Sequence, residues 1–319
     1  MAKKFPTRPR IRKLGTIECN NIVETTPLIW KGELYRFEVV RRKSFTAANA
    51  NMSWHDIDDS PCLRFVHVRS NTATPTFADD HTFGFPYVVG DTMYVVTGKS
   101  KNWGADTLEF FRSKDLINWE HHTEIHLPGW KTYNMNITEK GGYYILMVEI
   151  SAPVEEAGEY PFTFRFFYSK DMTNWTKLPS EYVFQKDRYA GSPSIYTFDD
   201  DPYFYVGYLE GYPGYRFGHS LARSKDLINW EYSPINPMLM YNEFEDKQIA
   251  SAFLTPEDRK RIEEALDINN SDMEMCEYLG RTLIYYSWGD QKGTEFLAEA
   301  WYEGPMHEFL RSWFEPKED

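Results

Sequence analysis

Apolar positions along the chain fall into short, strand-length runs, and polar segments of a repeating kind punctuate them. Three runs, Leu108 to Arg112, Thr163 to Tyr168 and His219 to Arg223, each lead straight into a near-identical octapeptide. Its first copy is Ser113-Lys114-Asp115-Leu116-Ile117-Asn118-Trp119-Glu120. The second begins at Ser169 and the third spans Ser224 to Glu231. Ser and Asp side chains bond nearby backbone groups, so the octapeptide predicts a turn whose Leu and Trp pack between neighbouring units. The tryptophans at 119, 175 and 230 are 56 and 55 residues apart, the spacing of an array of similar units. Upstream, paired β-runs join through Lys31-Gly32-Glu33, Gly90-Asp91, Lys140-Gly141-Gly142, Asp199-Asp200-Asp201 and Leu279-Gly280-Arg281. Each reads as a hairpin.

Five antiparallel units of about four strands predict an all-β chain, a five-bladed β-propeller in a single domain over residues 1–319. The expected blades run over about 20–76, 77–132, 133–187, 188–254 and 269–314. Blade 5 lacks one strand, and about 11–18 is expected to supply it and close the ring. Thr255 followed by Pro256, with acids in the first turn, predicts a helix over about 256–267, inserted between blades 4 and 5.

Charge and composition narrow the partners. The 319 residues carry 35 Lys and Arg against 48 Asp and Glu, a net charge of −13. That balance argues against a nucleic-acid partner and against an anionic membrane surface. No apolar run approaches a membrane span. The basic opening is not followed by an apolar stretch, so no secretory signal is expected. Cys19, Cys62 and Cys276 are odd in number and far apart. They fit a reduced, cytoplasmic protein rather than a disulfide framework or a zinc site. Oligomeric state is left open.

Propeller topology sorts the loops. Hairpin-turn and octapeptide acids belong on the face away from the funnel, where they are solvated. Funnel-face loops carry aromatics interleaved with carboxylates and amides, which suits a carbohydrate: rings stack on C–H faces and paired polar groups read hydroxyls. Candidate binding residues are Asp80, His81, Trp103, Asn134, Tyr189, Arg188, Arg216, Glu274, Trp288 and Gln291. Aligning the hairpins puts Thr26, Phe85, Asn134, Ser192 and Asp272 at the inner rim, so that only blade 5 has a carboxylate there. Asp272 is therefore the expected base. Glu210 ends an apolar strand, where desolvation suits a general acid, and Glu24 is a third member or replacement base. Glu149 ends a similar strand but reads rather as a structural carboxylate. No cofactor and no catalytic metal are expected; a structural ion on the axis, held by carbonyls, waters or His81, stays open.

The octapeptide repeats resemble the blade motif of five-bladed propeller glycoside hydrolases, the family 43-like superfamily with relatives such as families 62, 117 and 130. Asn270 to Glu277 followed by Tyr285 to Gly293 is similar to a blade of uncharacterised members of that group. The resemblance implies a glycosidase acting on a small glycoside or oligosaccharide, by inversion if hydrolytic. It also implies an Asp before the Pro of blade 1, an Asp in blade 3 and a Glu in blade 4. Those positions here hold Thr26, Asn134 and Gly191 or Ser192, so that triad does not carry over. An inverting phosphorylase, with phosphate held by residues such as Arg41, Arg42, Lys43, His55, Lys99, Lys101, Arg188 and Arg216, and a non-catalytic sugar-binding propeller are the alternatives.

Overall fold

Hairpins in sequence order build five sheets in this computed structural model, which describes residues 5–19, 23–41, 61–100, 104–160 and 162–316. Strand β1 (Arg12–Glu18) comes first in the chain but belongs to the last sheet. Blade 1 holds β2 (Thr26–Trp30), β3 (Glu33–Arg41), β4 (Pro61–His67) and β5 (Thr72–Ala73). Blade 2 holds β6 (His81–Val89), β7 (Thr92–Lys99), β8 (Thr107–Ser113) and β9 (Glu120–His126). Blade 3 holds β10 (Lys131–Lys140), β11 (Tyr143–Ala152), β12 (Thr163–Ser169) and β13 (Thr176–Lys177). Blade 4 holds β14 (Gly191–Thr197), β15 (Phe204–Tyr212), β16 (Arg216–Ser224) and β17 (Trp230–Tyr232), with β18 (Leu239–Met240) added beside β16. Blade 5 holds β19 (Ser271–Tyr278), β20 (Arg281–Gly289) and β21 (Glu295–Tyr302), and β1 pairs antiparallel with β21. The innermost strands β2, β6, β10, β14 and β19 each touch the next, and β19 touches β2, so the ring closes as a five-bladed propeller.

Among the described residues the helices are few and short: α1 (Val154–Ala157), α2 (Glu243–Asp246), α3 (Pro256–Glu264) and α4 (Met306–Arg311). In α3 the Thr255 hydroxyl accepts from the Asp258 N–H while the Asp258 carboxylate accepts from Thr255 N–H, so the cap is reciprocal. It lies between blades 4 and 5. The sequence pattern predicts α3 alone; α1, α2 and α4 are one- to two-turn segments with too few residues to show a helical period.

The octapeptides act as clips. In each, the first carboxylate oxygen of Asp115, Asp171 or Asp226 accepts the backbone N–H groups two and three residues on. Those bonds stabilise the ionised form and hold all three carboxyls well below the usual range. Leu116, Met172 and Leu227 take left-handed backbone in these turns and are buried. Each octapeptide tryptophan then stacks on a phenylalanine in the third strand of the preceding blade: Trp119 on Phe65, Trp175 on Phe110, Trp230 on Phe166. The repeat thus fixes the seams between blades 1, 2, 3 and 4.

Blade 5 is closed from within by a different tryptophan. Trp288 is fully buried, stacks on Phe296 at 4.5 Å and donates its indole N–H to the Thr16 hydroxyl at 2.8 Å. It joins β1 to the core, so the sequence-level placement of Trp288 at a sugar site does not hold; no face of its ring is open. Trp288→Ala is expected to cost about 3–5 kcal/mol in equilibrium urea unfolding, the range for truncating a buried large aromatic.

Candidate functional site

At the start of four innermost strands the pairing slips by one residue: Thr82/Gly84 in β6, Thr132/Met135 in β10, Gly191/Ser194 in β14 and Ser271/Glu274 in β19. Such bulges re-aim a side chain. Phe83, Ser192 and Asp272 sit at these bulges with left-handed backbone, φ 51°, 48° and 48°, and Glu24 just ahead of β2 has φ 33°. By the same register Tyr133 is their counterpart in blade 3. These five residues, one from each blade, all line a single axial cavity of about 210 Å³. The hairpin alignment of the sequence is thereby corrected. Thr26 and Phe85 lie two residues too far down their strands, and Asn134 one too far. The rim set is Glu24, Phe83, Tyr133, Ser192 and Asp272, so adjacent blades 5 and 1 each place a carboxylate there.

Two walls of different chemistry face each other. Blades 2 to 4 contribute a chain of edge-to-face aromatics: Phe83 to Tyr133 at 5.6 Å, Tyr133 to Phe162 at 4.7 Å and Phe162 to Tyr189 at 5.9 Å. Blades 5 and 1 contribute Asp272, Glu295, Gln291 and Glu24. Glu149, from β11 in blade 3, completes the lining. Gly191 lies against it: a Cβ there would come within 2.7 Å of the Tyr189 hydroxyl and 3.1 Å of Glu149 Oε1. Below, a narrower space of about 10 Å³ reaches Glu274.

Burial dominates the electrostatics. It pushes the Glu149 carboxyl up to about 8, while the Asn134 side-chain and backbone N–H groups, 3.0 and 3.3 Å away, pull the other way and the nearby Asp272 adds to the rise. Asp272 is likewise raised by burial, opposed by the Ser271 and Ser192 hydroxyls, yet part of its side chain stays open to the cavity. Glu274 is pushed up to about 8 by burial, although it accepts from Asn136 at 2.8 Å and from the Tyr196 hydroxyl at 3.2 Å. Glu295, bonded by Gln291 N–H at 2.8 Å, is raised well above the usual value by burial. Four carboxyls in this region therefore favour protonation relative to water.

The sequence candidates divide accordingly. Asp272, Glu24, Asn134, Tyr189 and Gln291 line the cavity, and Glu274 lines the space beneath it. Glu210 does not. It lies 3.8 Å from the Arg188 guanidinium and accepts from the Ser220 hydroxyl at 3.2 Å. The register explains why. Ile150 pairs with Thr132 and Leu209 with Gly191, so Glu149 lies one residue below that rung and Glu210 one above it, out toward the rim. Arg188 packs over Tyr232 and Arg216 over Tyr241, away from the cavity. His81 is buried against Asp79 and Glu109, and Asp80 bonds the Pro61 carbonyl through its backbone N–H. None of these lines the cavity. Trp103 lies outside the described residues, as do Arg42, Lys43, His55 and Lys101. Glu295 and the aromatics Phe83, Tyr133 and Phe162 line the cavity from outside the sequence candidates, and Glu149, read there as a structural carboxylate, lines it too.

No family model matches the chain, and no curated protein matches its sequence. Solved structures share its fold. A structure described as a glycoside hydrolase is 13% identical, with a TM-score of 0.60 over 92% of this chain and 92% of that one. The alpha-L-arabinofuranosidase PaAbf62A from Podospora anserina, in complex with cellotriose, is 8% identical, with a TM-score of 0.59 over 94% of this chain and 99% of that one. The family 93 alpha-L-arabinofuranosidase of Fusarium graminearum, with arabinobiose, is 11% identical, with a TM-score of 0.53 over 92% of this chain and 98% of that one. The chain thus has the five-bladed architecture found among solved glycoside hydrolases.

The cavity makes a prediction that needs no substrate. The Glu149 carboxyl should titrate near 8 in carbon-detected NMR, and Asp272→Asn should lower that midpoint by removing a neighbouring negative charge. Since the folded value exceeds the ordinary 4.5, the stability linked to Glu149 is present below 4.5 and is lost as pH rises through about 8.

Proposed function

We propose that the protein is a glycoside hydrolase whose carbohydrate substrate enters the axial cavity. The observation that carries this reading is the convergence of Glu149, Asp272 and Glu24 on one cavity with an aromatic wall. The rings offer a stacking surface for a sugar's C–H face, and the carboxylates and amides opposite suit its hydroxyls. Glu149, held protonated at neutral pH by burial, is the general acid that protonates the leaving oxygen. Asp272 is the general base that activates water, and Glu24 is a third carboxylate beside it. Glu149 and Asp272 come from blades 3 and 5, with blade 4 between them, which favours an arrangement with room for water and hence inversion of the anomeric centre.

Among the described residues, no Arg, Lys or His lines the cavity. Its carboxylates would repel phosphate, so hydrolysis is favoured over phosphorolysis. The fold's likeness to arabinofuranosidases makes aryl and oligomeric arabinofuranosides the first substrates to try.

Asp272→Asn and Glu149→Gln should each cut turnover on an unactivated glycoside by at least about 10²-fold. Glu149→Gln should recover partly on an aryl glycoside whose leaving group needs no proton. Glu210→Gln should stay near the parent rate. For the parent, the rate should fall as pH rises through about 8, when Glu149 loses its proton. Near-normal turnover by Asp272→Asn would refute the assignment.

A further inference from the structure

The axial cavity is closed at its lower end, and that closure limits which bonds of a saccharide can reach it. One or two residues further along the innermost strands, Thr26, Gly84, Met135, Pro193 and Met273, again one from each blade, line the space beneath the cavity. Thr26, Met135 and Met273 are buried, and a Cβ on Gly84 would meet the Phe37 ring at 3.1 Å, so close packing leaves these strands no slack to part. The space between them is about 10 Å³, room for at most a single water. The five innermost strands touch one another all round the ring, so the blades do not gape at this depth.

The side walls are closed as well. Phe83, Tyr133, Phe162 and Tyr189 meet edge to face in succession across blades 2 to 4, and Tyr189 continues onto Phe217 at 6.3 Å. In blade 5 the turn from β20 to β21 is tied by the Asp290 N–H to the Thr294 carbonyl at 3.0 Å and by the Gln291 N–H to Glu295 at 2.8 Å. Val23 and Glu24 stand on the blade 1 side. At about 210 Å³ the cavity is smaller than the roughly 300–1,000 Å³ of sites that enclose drug-sized ligands, which leaves room for one sugar ring and not for two.

Chemistry sets which ring that is. In glycoside hydrolysis the two carboxyls flank the bond that breaks, so the ring whose anomeric carbon reacts lies between them. Glu149 and Asp272 both line the cavity, which places that ring inside it. Its leaving oxygen takes the open end, the mouth. A neighbour attached through any other hydroxyl would have to pass the floor or a wall. We infer that the protein removes one sugar at a time from the non-reducing end of its substrate, with Thr26, Gly84, Met135, Pro193 and Met273 as the floor that stops a chain from threading through. The inference rests on the hydrolase reading and adds the mode of attack to it. In each turnover water adds to the anomeric carbon and gives its proton to Asp272. The bond to the chain breaks, and the leaving oxygen takes the proton of Glu149. One monosaccharide is freed and the chain is one residue shorter.

The test follows reducing-end-labelled arabinohexaose and xylohexaose by chromatography at low conversion. Beside them run the same hexamers blocked by a benzyl ether on the chain-extending hydroxyl of the non-reducing terminal residue. Monosaccharide and labelled pentamer are expected as the first products. The blocked hexamers should turn over at least about 100-fold more slowly, because the block cannot share a space that holds one water. Labelled products shorter than the pentamer at the outset, or blocked hexamers cleaved at the unblocked rate, would overturn end-wise attack and leave hydrolysis standing. If no hexamer is cleaved, hydrolysis of these sugars fails, and calorimetric titration of the same saccharides into Asp272→Asn decides the cavity separately. Binding confined to unblocked hexamers supports the closed floor. Equal binding of blocked and unblocked hexamers, or binding of neither, overturns it.

Discussion

Holding Glu149, Glu274 and Glu295 out of water, with Asp272 only partly open beside them, is the constraint on which the axial region depends. Desolvation alone would neutralise or expel them. The fold opposes it with fixed donors: Asn134 on Glu149 and Asn136 and Tyr196 on Glu274 from strands, and Asn269 and the Gln291 backbone N–H on Glu295 from the segments flanking β19 and β20. The compensation is partial, since burial still raises all four carboxyls. An incompletely compensated carboxyl is what a proton donor at neutral pH requires.

The frame that makes this tolerable is rigid because it is locally specified. Each octapeptide clip ties its own turn and delivers a tryptophan to the preceding blade. Most cavity carboxylates then sit on strands, Asp272 on β19, Glu149 on β11 and Glu295 on β21, while Phe162 and Gln291 come from loops. Bulges at the strand starts turn Phe83, Ser192 and Asp272 inward, accepting left-handed backbone at non-glycine positions. Sites built on strands hold their geometry better than sites built on loops.

This division explains what could be read from the chain. The octapeptides and hairpin turns carry their signals within a few residues, so the number of blades followed from spacing. Asp272 followed because β14 and β19 share one alignment. Glu149 and Glu210 stand at the same count after the starts of their strands, Tyr143 and Phe204, and so looked equivalent. The inner strand of blade 3 runs ten residues and that of blade 4 seven, so the same count ends two rungs apart across the ladder. Strand length and the extra bulge residue are products of pairing, and neither is written in the local pattern. Trp288 misled for a related reason: its burial depends on Phe296 and on Thr16, which arrives from the other end of the chain.

The central claim is that the acidic axial cavity is where a sugar binds and reacts. A crystal structure of the Asp272→Asn variant soaked with an arabino-oligosaccharide tests it most directly. The account predicts a sugar ring against the aromatic wall of Tyr133, Phe162 and Tyr189, with the glycosidic oxygen within hydrogen-bonding distance of Glu149. A saccharide bound elsewhere on the propeller, with the axial cavity holding only solvent, would contradict it.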